Sequence, residues 1–474
     1  MNEEAHSWTI TIDNADATLA TAADLNTIND ATTEQVTSAA VTALAASDMT
    51  DLEALHTGID GFSTLANITA VTLTDNGGGD GSVDFGTLET IVDNYQTDVN
   101  ANVAFSFQAE DTIGIDTTDE LSAFVEDIGD NALVLVNQDV TIDSEVDVSV
   151  ADAKTIAADT AGNVTATITS GTRVASLTEL RTPDGVNAEA HSWTITIHND
   201  DATLATAADL NTINDATTEQ VTSAAVTALA ASDMTDLEAL HTGIDGFSTL
   251  ANITAVTLTD NGGGDGSVDF GTLETIVDNY QTDVNANVAF SFQAEDTIGI
   301  DTTDELSAFV EDIGDNALVL VNQDVTIDSE VDVSVADAKT IAADTAGNVT
   351  ATITSGTRVA SLTELRTPDG VNAEAHSWTI AIDELDATSS AADLNTINDA
   401  TTEQVNASEV TTISSSTISA VGTLLTSAVA DTPREFTTGS FDDLESLTIS
   451  DETIDVDSLN TAITNANAVV SGGT

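Results

Sequence analysis

The stretch TAADLNTINDATTEQV, Thr21 to Val36, returns unchanged at Thr206 to Val221, and all but its first residue returns at Ala391 to Val405. Inside it, Thr21 stands three residues before Asp24, and Leu25 and Ile28 follow three apart. That is the wording of a helix start. A hydroxyl at the first position accepts from a free backbone N–H, and the acid at the third helical position reaches back to the cap. The two apolar residues then begin a buried stripe.

Between Met1 and Gly185 the same phrase recurs. Thr21, Asp48, Asp84, Thr117 and Ser149 take the cap position, and Leu25, Leu52, Leu88, Leu121 and Ala153 the first buried one. A weaker sixth unit has Leu177 and Leu180, with Arg173 where the cap should stand. The steps between first apolar residues are 27, 36, 33, 32 and 24, then 33 to Leu210. Six short units therefore make one long repeat. Residues 1–185 form repeat 1 and residues 186–370 repeat 2, and they differ only at Met1/Val186, Glu3/Ala188, Asp13/His198 and Ala15/Asp200. Residues 371–474 are a partial third copy that diverges after Val405, where NASEVTTISSSTISAVG replaces TSAAVTALAASDM.

A strand is expected to follow each helix. Val36, Val99, Ala132 and Val164 stand eleven residues after Leu25, Leu88, Leu121 and Ala153, near runs such as NVAFSF, ALVLVNQDVTI and NVTATIT. Such runs are rich in β-branched and aromatic residues. Turns such as DNGGGDG and TAGN separate them. Helix and strand alternating at this period predict an α/β solenoid, a parallel sheet with helices packed on it. Parallel strands stack about 4.8 Å apart, whereas helices need about 8–10 Å, so a solenoid of this kind must curve or splay. The alternatives are tandem globular modules, one to each long repeat and joined by LRTPDGVNAE, or β-rich adhesin modules.

Charge excludes several partners. The chain carries 82 Asp and Glu against 7 Lys and Arg, a formal net charge of −75. Nucleic acid and anionic membrane surfaces demand clustered basic residues. Disorder is the obvious competitor at such a charge, but 41% of residues are apolar and recur in order. There is no Cys, so no disulfide and no thiolate metal site. No apolar run approaches the length of a membrane span. MNEEAHSWTITID lacks the features of a signal peptide. Met1 aligns with Val186 inside a repeating phrase, which is expected of a piece of a longer repetitive protein.

The most chemical segment is DNGGGDGSVDFGTLE, Asp75 to Glu89, repeated at Asp260 to Glu274. Clustered oxygen donors around a Gly-rich loop suit Ca²⁺. Asp75, Asn76, Asp80 and Asp84, with Asp260, Asn261, Asp265 and Asp269, are the candidate Ca²⁺ ligands. Thr87 stands where an EF-hand needs its final Glu. The plainer reading is a turn followed by Asp84 as a helix cap. Asp143, Glu145 and Asp147 alternate, which sets them on one face of any strand. No HExxH or HxH joins His6, His56, His191, His198, His241 and His376, and no P-loop or GxSxG is present. Trp8, Trp193 and Trp378 mark one place in each copy and are expected to pack in the core or between units. Lys154, Arg173 and Arg181, then Lys339, Arg358 and Arg366, sit in repeated places, and intramolecular ion pairs in the weak sixth units are expected of them.

The phrases AADLNTINDATTEQV and EQVNASEVTTISSSTISAVG resemble repeats of giant acidic cell-surface proteins of marine cyanobacteria, including those associated with swimming motility. The likeness covers the helix-plus-strand phrase, about a third of the chain. It implies an extracellular or outer-surface location in a cation-rich medium, and it carries over no catalytic residue. Tandem copying suits a structure that gains reach or many equal contacts with each copy. The expected role is therefore a non-enzymatic surface spacer, filament or adhesive array. The alternatives are a Ca²⁺-dependent adhesin binding surface polysaccharide, and a polysaccharide-active enzyme using a carboxylate pair. Self-association head to tail is expected, because ITNANAVVSGGT ends on a complete unit without an evident polar cap.

Overall fold

The computed structural model describes residues 5–74, 82–108, 112–181, 190–259, 267–293, 297–366, 375–429 and 435–470. They divide into two compact units, Met1–Val226 with Thr242–Leu250, and Thr227–His241 with Ala251–Thr474. The division falls inside the second long repeat.

Helix starts follow the repeated phrase. In the first unit the side chains of Thr21, Asp48, Asp84, Thr117 and Ser149 each accept from the backbone N–H three residues on, and Arg173 makes no such cap. Thr21 and Asp24 complete a reciprocal capping box. The helices that result are Ala22–Asp30, Met49–Thr57, Phe85–Asp98, Thr118–Gly129 and Val150–Asp159. The capless sixth coil has only the four-residue helix Val174–Leu177 and a 3-10 turn, Thr178–Arg181. Leu25, Leu52, Leu88, Leu121, Ala153 and Leu177 are all buried beneath this layer.

Among the described residues every strand pairing is parallel, and those of the first unit form two sheets. One sheet stacks Ala43–Ser47, Ala70–Leu73, Ala104–Phe107 and Leu133–Val134. The other runs Ser192–Thr194, Val164–Ile168, Asp139–Ile142, Thr112–Ile115 and Ser82–Asp84, with Asp147–Val148 also paired to Val164–Ile168. The second unit repeats the pattern from Ala228–Ser232 to Ser377–Thr379 and adds a three-stranded sheet of Thr388–Ser389, Thr412–Ser416 and Ser446–Ile449. The fold is α/β, with repeated strand-plus-helix coils of the solenoid kind.

The strand expectation needs correcting in two respects. The middle coils carry two strands, one before the helix and one after it, rather than one. The eleven-residue offset also fails where helices differ in length. Val99 is the C-cap of the 14-residue Phe85–Asp98 helix, and its strand begins at Ala104. Val36 makes a single parallel bridge to Phe62, whereas Val164 opens a strand as expected.

Side-chain amides fasten the first three coils of each long repeat to one another. Asn26 donates to the Asp51 carbonyl at 2.9 Å, Gln35 to Asp60 at 3.0 Å, and Asn100 to Ala66 at 3.0 Å. Gln220 to Asp245 and Asn285 to Ala251, both at 2.9 Å, reproduce two of these bonds in the second long repeat. Such bonds satisfy backbone carbonyls at the coil edges.

Candidate functional site

Of the candidate cation ligands, Asp84 and Asp269 lie among the described residues. The Asp84 carboxylate accepts from both the backbone N–H and the hydroxyl of Thr87, each at 2.8 Å, and Asp269 does the same with Thr272. Both are helix caps. Asp75, Asn76, Asp80, Asp260, Asn261 and Asp265 lie outside the described residues. Among the described residues no group of three or more His, Asp or Glu could hold a metal ion.

Asp143, Glu145 and Asp147 do not share a strand face. The strand ends at Ile142, and Asp143 accepts from the Glu145 N–H at 2.7 Å across a turn before Asp147 opens the next strand. Ser144, exposed in this turn between exposed Asp143 and Glu145, breaks the alternation that the spacing suggested.

The helix layer holds a carboxylate cluster that the sequence reading passed over. Asp127 sits on the Thr118–Gly129 helix between buried Phe124 and Ile128, half-buried itself. Burial, then the charges of Asp93, Glu89, Glu126 and Asp130, push its carboxyl up to about 6, and Asp312 is pushed up to about 6 in the second repeat for the same reasons. Glu89 is also raised, by burial and by Asp93, Glu120 and Asp119. A signal was present: Asp127 lies three residues after Phe124 and six after Leu121, close to the apolar stripe. Among so many acids that position carried no mark of its own.

Ion pairs gather at the sixth coils, as expected, although Lys154 and Lys339 stand on the helices just before them. Arg173 donates through Nε to Asp201 at 2.8 Å, and Asp201, only 3% exposed, also accepts from the Val174 N–H at 3.0 Å. Arg358 bonds Asp386 at 3.2 Å in the later copy. Lys154 lies 3.5 Å from Glu179, and Lys339 lies 3.4 Å from Glu364. Because the sixth coil's helix is so short, the helix layer thins beside these lysines. A groove of about 510 Å³ opens along Val150, Lys154, Thr155, Ala158, Ser176 and Glu179. Its counterpart of about 670 Å³ runs along Val335, Lys339, Thr340, Ala343, Ser361 and Glu364.

The histidines are dispersed among structural roles. His56 bonds Asp98 at 2.9 Å and His241 bonds Asp283 at 2.8 Å, while His198 caps a short turn. His191 and His376 are buried and accept the N–H groups of Val164 and Val349 at 3.2 Å. Trp193 and Trp378 pack between coils, each 1% exposed, as their repeated place suggested, but Trp8 is 55% exposed.

No family model matches the chain, and no curated protein matches it. Among solved structures, it is similar to a chain in the crystal structure of the Rad7 and Elc1 complex in yeast, at 11% identity and a TM-score of 0.17, covering 73% of this chain and 84% of that one. No helix among the described residues is long and apolar enough to cross a membrane.

Proposed function

We propose that this chain is a non-enzymatic structural array displayed at the outer cell surface, acting as a spacer, filament or multivalent adhesive. The observation that carries this reading is the replication of whole coil-to-coil interfaces, down to individual amide bonds such as Gln35 to Asp60 and Gln220 to Asp245. An interface that copies without alteration lets a protein grow by duplication, and reach or avidity grows with it. The resemblance to giant acidic surface repeats supports the location, and the charge of −75 suits a cation-rich medium.

The adhesive form of the reading draws on the groove beside Lys154, which recurs beside Lys339 and offers a cation, a carboxylate and hydroxyls over an apolar floor. Surface polysaccharide is the ligand class proposed for it, with Ca²⁺ as a further requirement if the Gly-rich loops bind it.

Antibody against the repeat, applied to intact and to permeabilised source cells, tests the location. Staining of intact cells is expected, and staining only after permeabilisation overturns it. The rival is a polysaccharide-active enzyme, for which Asp127 and Asp312 are the carboxyls best placed to hold a proton near pH 6. Hydrolysis of surface polysaccharide that disappears in Asp127→Asn with Asp312→Asn would replace the structural reading by the enzymatic one.

A further inference from the structure

A buried imidazole bonds one long repeat to the next. In the first unit the ring of His191, only 5% exposed, accepts the Val164 N–H of the preceding sixth coil through Nδ1 at 3.2 Å. In the second unit His376, also 5% exposed, accepts the Val349 N–H at 3.2 Å. The backbone fixes each ring in place. The His191 N–H donates to the Ala216 carbonyl at 3.2 Å, and the His191 carbonyl accepts from the Thr218 N–H at 2.8 Å. The Trp193 ring lies 5.2 Å from the His191 ring, and the Trp378 ring 5.2 Å from that of His376. Beside the latch, Ser192, Trp193 and Thr194 pair in parallel with Thr165, Ala166 and Thr167.

A ring nitrogen that accepts an N–H carries no proton of its own. Each neutral ring therefore holds its proton on Nε2, and a second proton can enter only at Nδ1. There it would point at the Val164 or Val349 N–H, setting donor against donor, and it would place a charge in a site closed to water. Turning the ring away instead leaves a buried backbone N–H without its acceptor. The strands that carry Val164 and Trp193 have no titratable residue. The elements flanking them bring Asp139, Asp147, Asp215 and Glu219, all exposed, as Asp324, Asp332, Asp399 and Glu403 are at the second joint. The helix Val150–Asp159 packs on the Val164 strand and brings Asp152, Lys154 and Asp159. Further along the joint Arg173 and Asp201 pair with each other at 2.7 Å.

We propose that His191 and His376 are acid-sensitive latches, which close the joints between long repeats while neutral and loosen them when protonated. Histidine is the side chain whose charge ordinarily changes between pH 5 and 8. The unfolded ring takes up a proton near pH 6.5 and the latched ring does not, so stability falls as the pH drops below that value. The sign is opposite to that of Asp127, whose crowding is relieved by the same acidification. The inference goes beyond the array reading by naming a condition under which the repeats come apart. It is read on purified protein and surface display on cells, so the two fail separately.

The test uses the full chain and a double variant, His191→Asn with His376→Asn. Asparagine keeps an acceptor oxygen near the place of Nδ1 and does not titrate. Between pH 8 and pH 5.5 the melting temperature of the parent is expected to fall by roughly 3–5 °C relative to that variant. His191→Phe with His376→Phe removes the acceptor, so it should melt below the parent at pH 8 and stay a constant interval below the Asn variant as the pH falls. Nitrogen-15 spectra of the histidine-labelled parent read the rings directly, and the two single Asn variants assign them. Both rings should keep the neutral Nε2–H form at pH 5.5 for as long as the joints stay closed. Rings that protonate near pH 6.5 in a chain that loses no stability against the Asn variant would overturn the proposal. So would melting temperatures of parent and Asn variant that run parallel from pH 8 to pH 5.5.

Discussion

The Tyr95 hydroxyl donates to the Leu52 carbonyl at 3.0 Å across 43 residues of sequence, and Tyr280 donates to Leu237 at 3.1 Å in the second repeat. Each tyrosine is fully buried, and burial pushes its hydroxyl well above the usual range, so it stays a neutral donor. The ring adds an edge-to-face contact with Phe105 at 5.7 Å. One side chain therefore ties a helix to the preceding helix and to the next strand.

Tyr95→Phe keeps the ring and removes only the tie. The variant is expected to lose about 1 kcal/mol, the usual net value of one buried hydrogen bond. Tyr280→Phe should lose a similar amount. Urea melts followed by circular dichroism measure this, and unchanged midpoints for both variants would show that the hydroxyl contributes nothing.

Asp127 gives a pH dependence with a definite sign. Its folded carboxyl titrates at about 6, above the ordinary 3.8, so its charge opposes folding above pH 6. That cost is relieved as the pH falls through 6 towards 4, and it is absent once both states are protonated. Half-exposure screens the repulsion, so Asp127→Asn should gain about 1 kcal/mol at pH 8, or roughly 2–4 °C in melting temperature. At pH 3.5 the gain should vanish. A variant no more stable than the parent at pH 8 would remove the cluster as a source of strain.

Asp84 separates capping from cation binding. Asp84→Ala deletes the acceptor for Thr87 and should cost about 1 kcal/mol, whereas Asp84→Asn keeps a good cap and should cost only a few tenths. Both effects should be the same in EDTA and in Ca²⁺. If Asp84→Asn instead abolishes a Ca²⁺-dependent rise in melting temperature, the carboxylate is a ligand and the Gly-rich loop a cation site.

Much of this fold is legible because helix caps are local. Thr21, Asp48, Asp84, Thr117 and Ser149 act within three residues, so spacing alone locates their helices. Arg173, without a side-chain cap, correctly marks the short helix. Strands were less legible because their pairing is nonlocal. Ser82–Asp84 and Thr112–Ile115 are only three and four residues long, and become strands by hydrogen-bonding to one another across a helix. The raised carboxyl of Asp127 depends on burial and then on Asp93 and Glu89 of the preceding helix, neighbour relations that no single segment encodes. The exposure of Trp8 was illegible for the same reason, since its phrase HSWTI matches that of the buried Trp193.

Salt should govern stability more than any single contact does. The chain carries a net charge of −75, and the acids lie in rows on packed helices, as Glu89 and Asp93 do beside Asp119 and Glu120. Adjacent helices stand about 8–10 Å apart. The screening length is about 30 Å at 0.01 M salt, about 10 Å at 0.1 M and about 3 Å at 1 M. Screening thus reaches the helix spacing near 0.1 M, and the melting temperature should climb steeply up to that concentration and then level off. Opposing this, the coil-to-coil amide bonds and buried apolar stripe are nearly indifferent to simple screening. Melts from 0.01 to 1 M NaCl measure the response, and Mg²⁺ or Ca²⁺ at matched ionic strength separate screening from specific binding. Asp127→Asn with Asp312→Asn should flatten the low-salt limb, since it removes two of the most crowded charges. A melting temperature constant across that range would mean that repulsion between neighbouring coils is not what limits this fold.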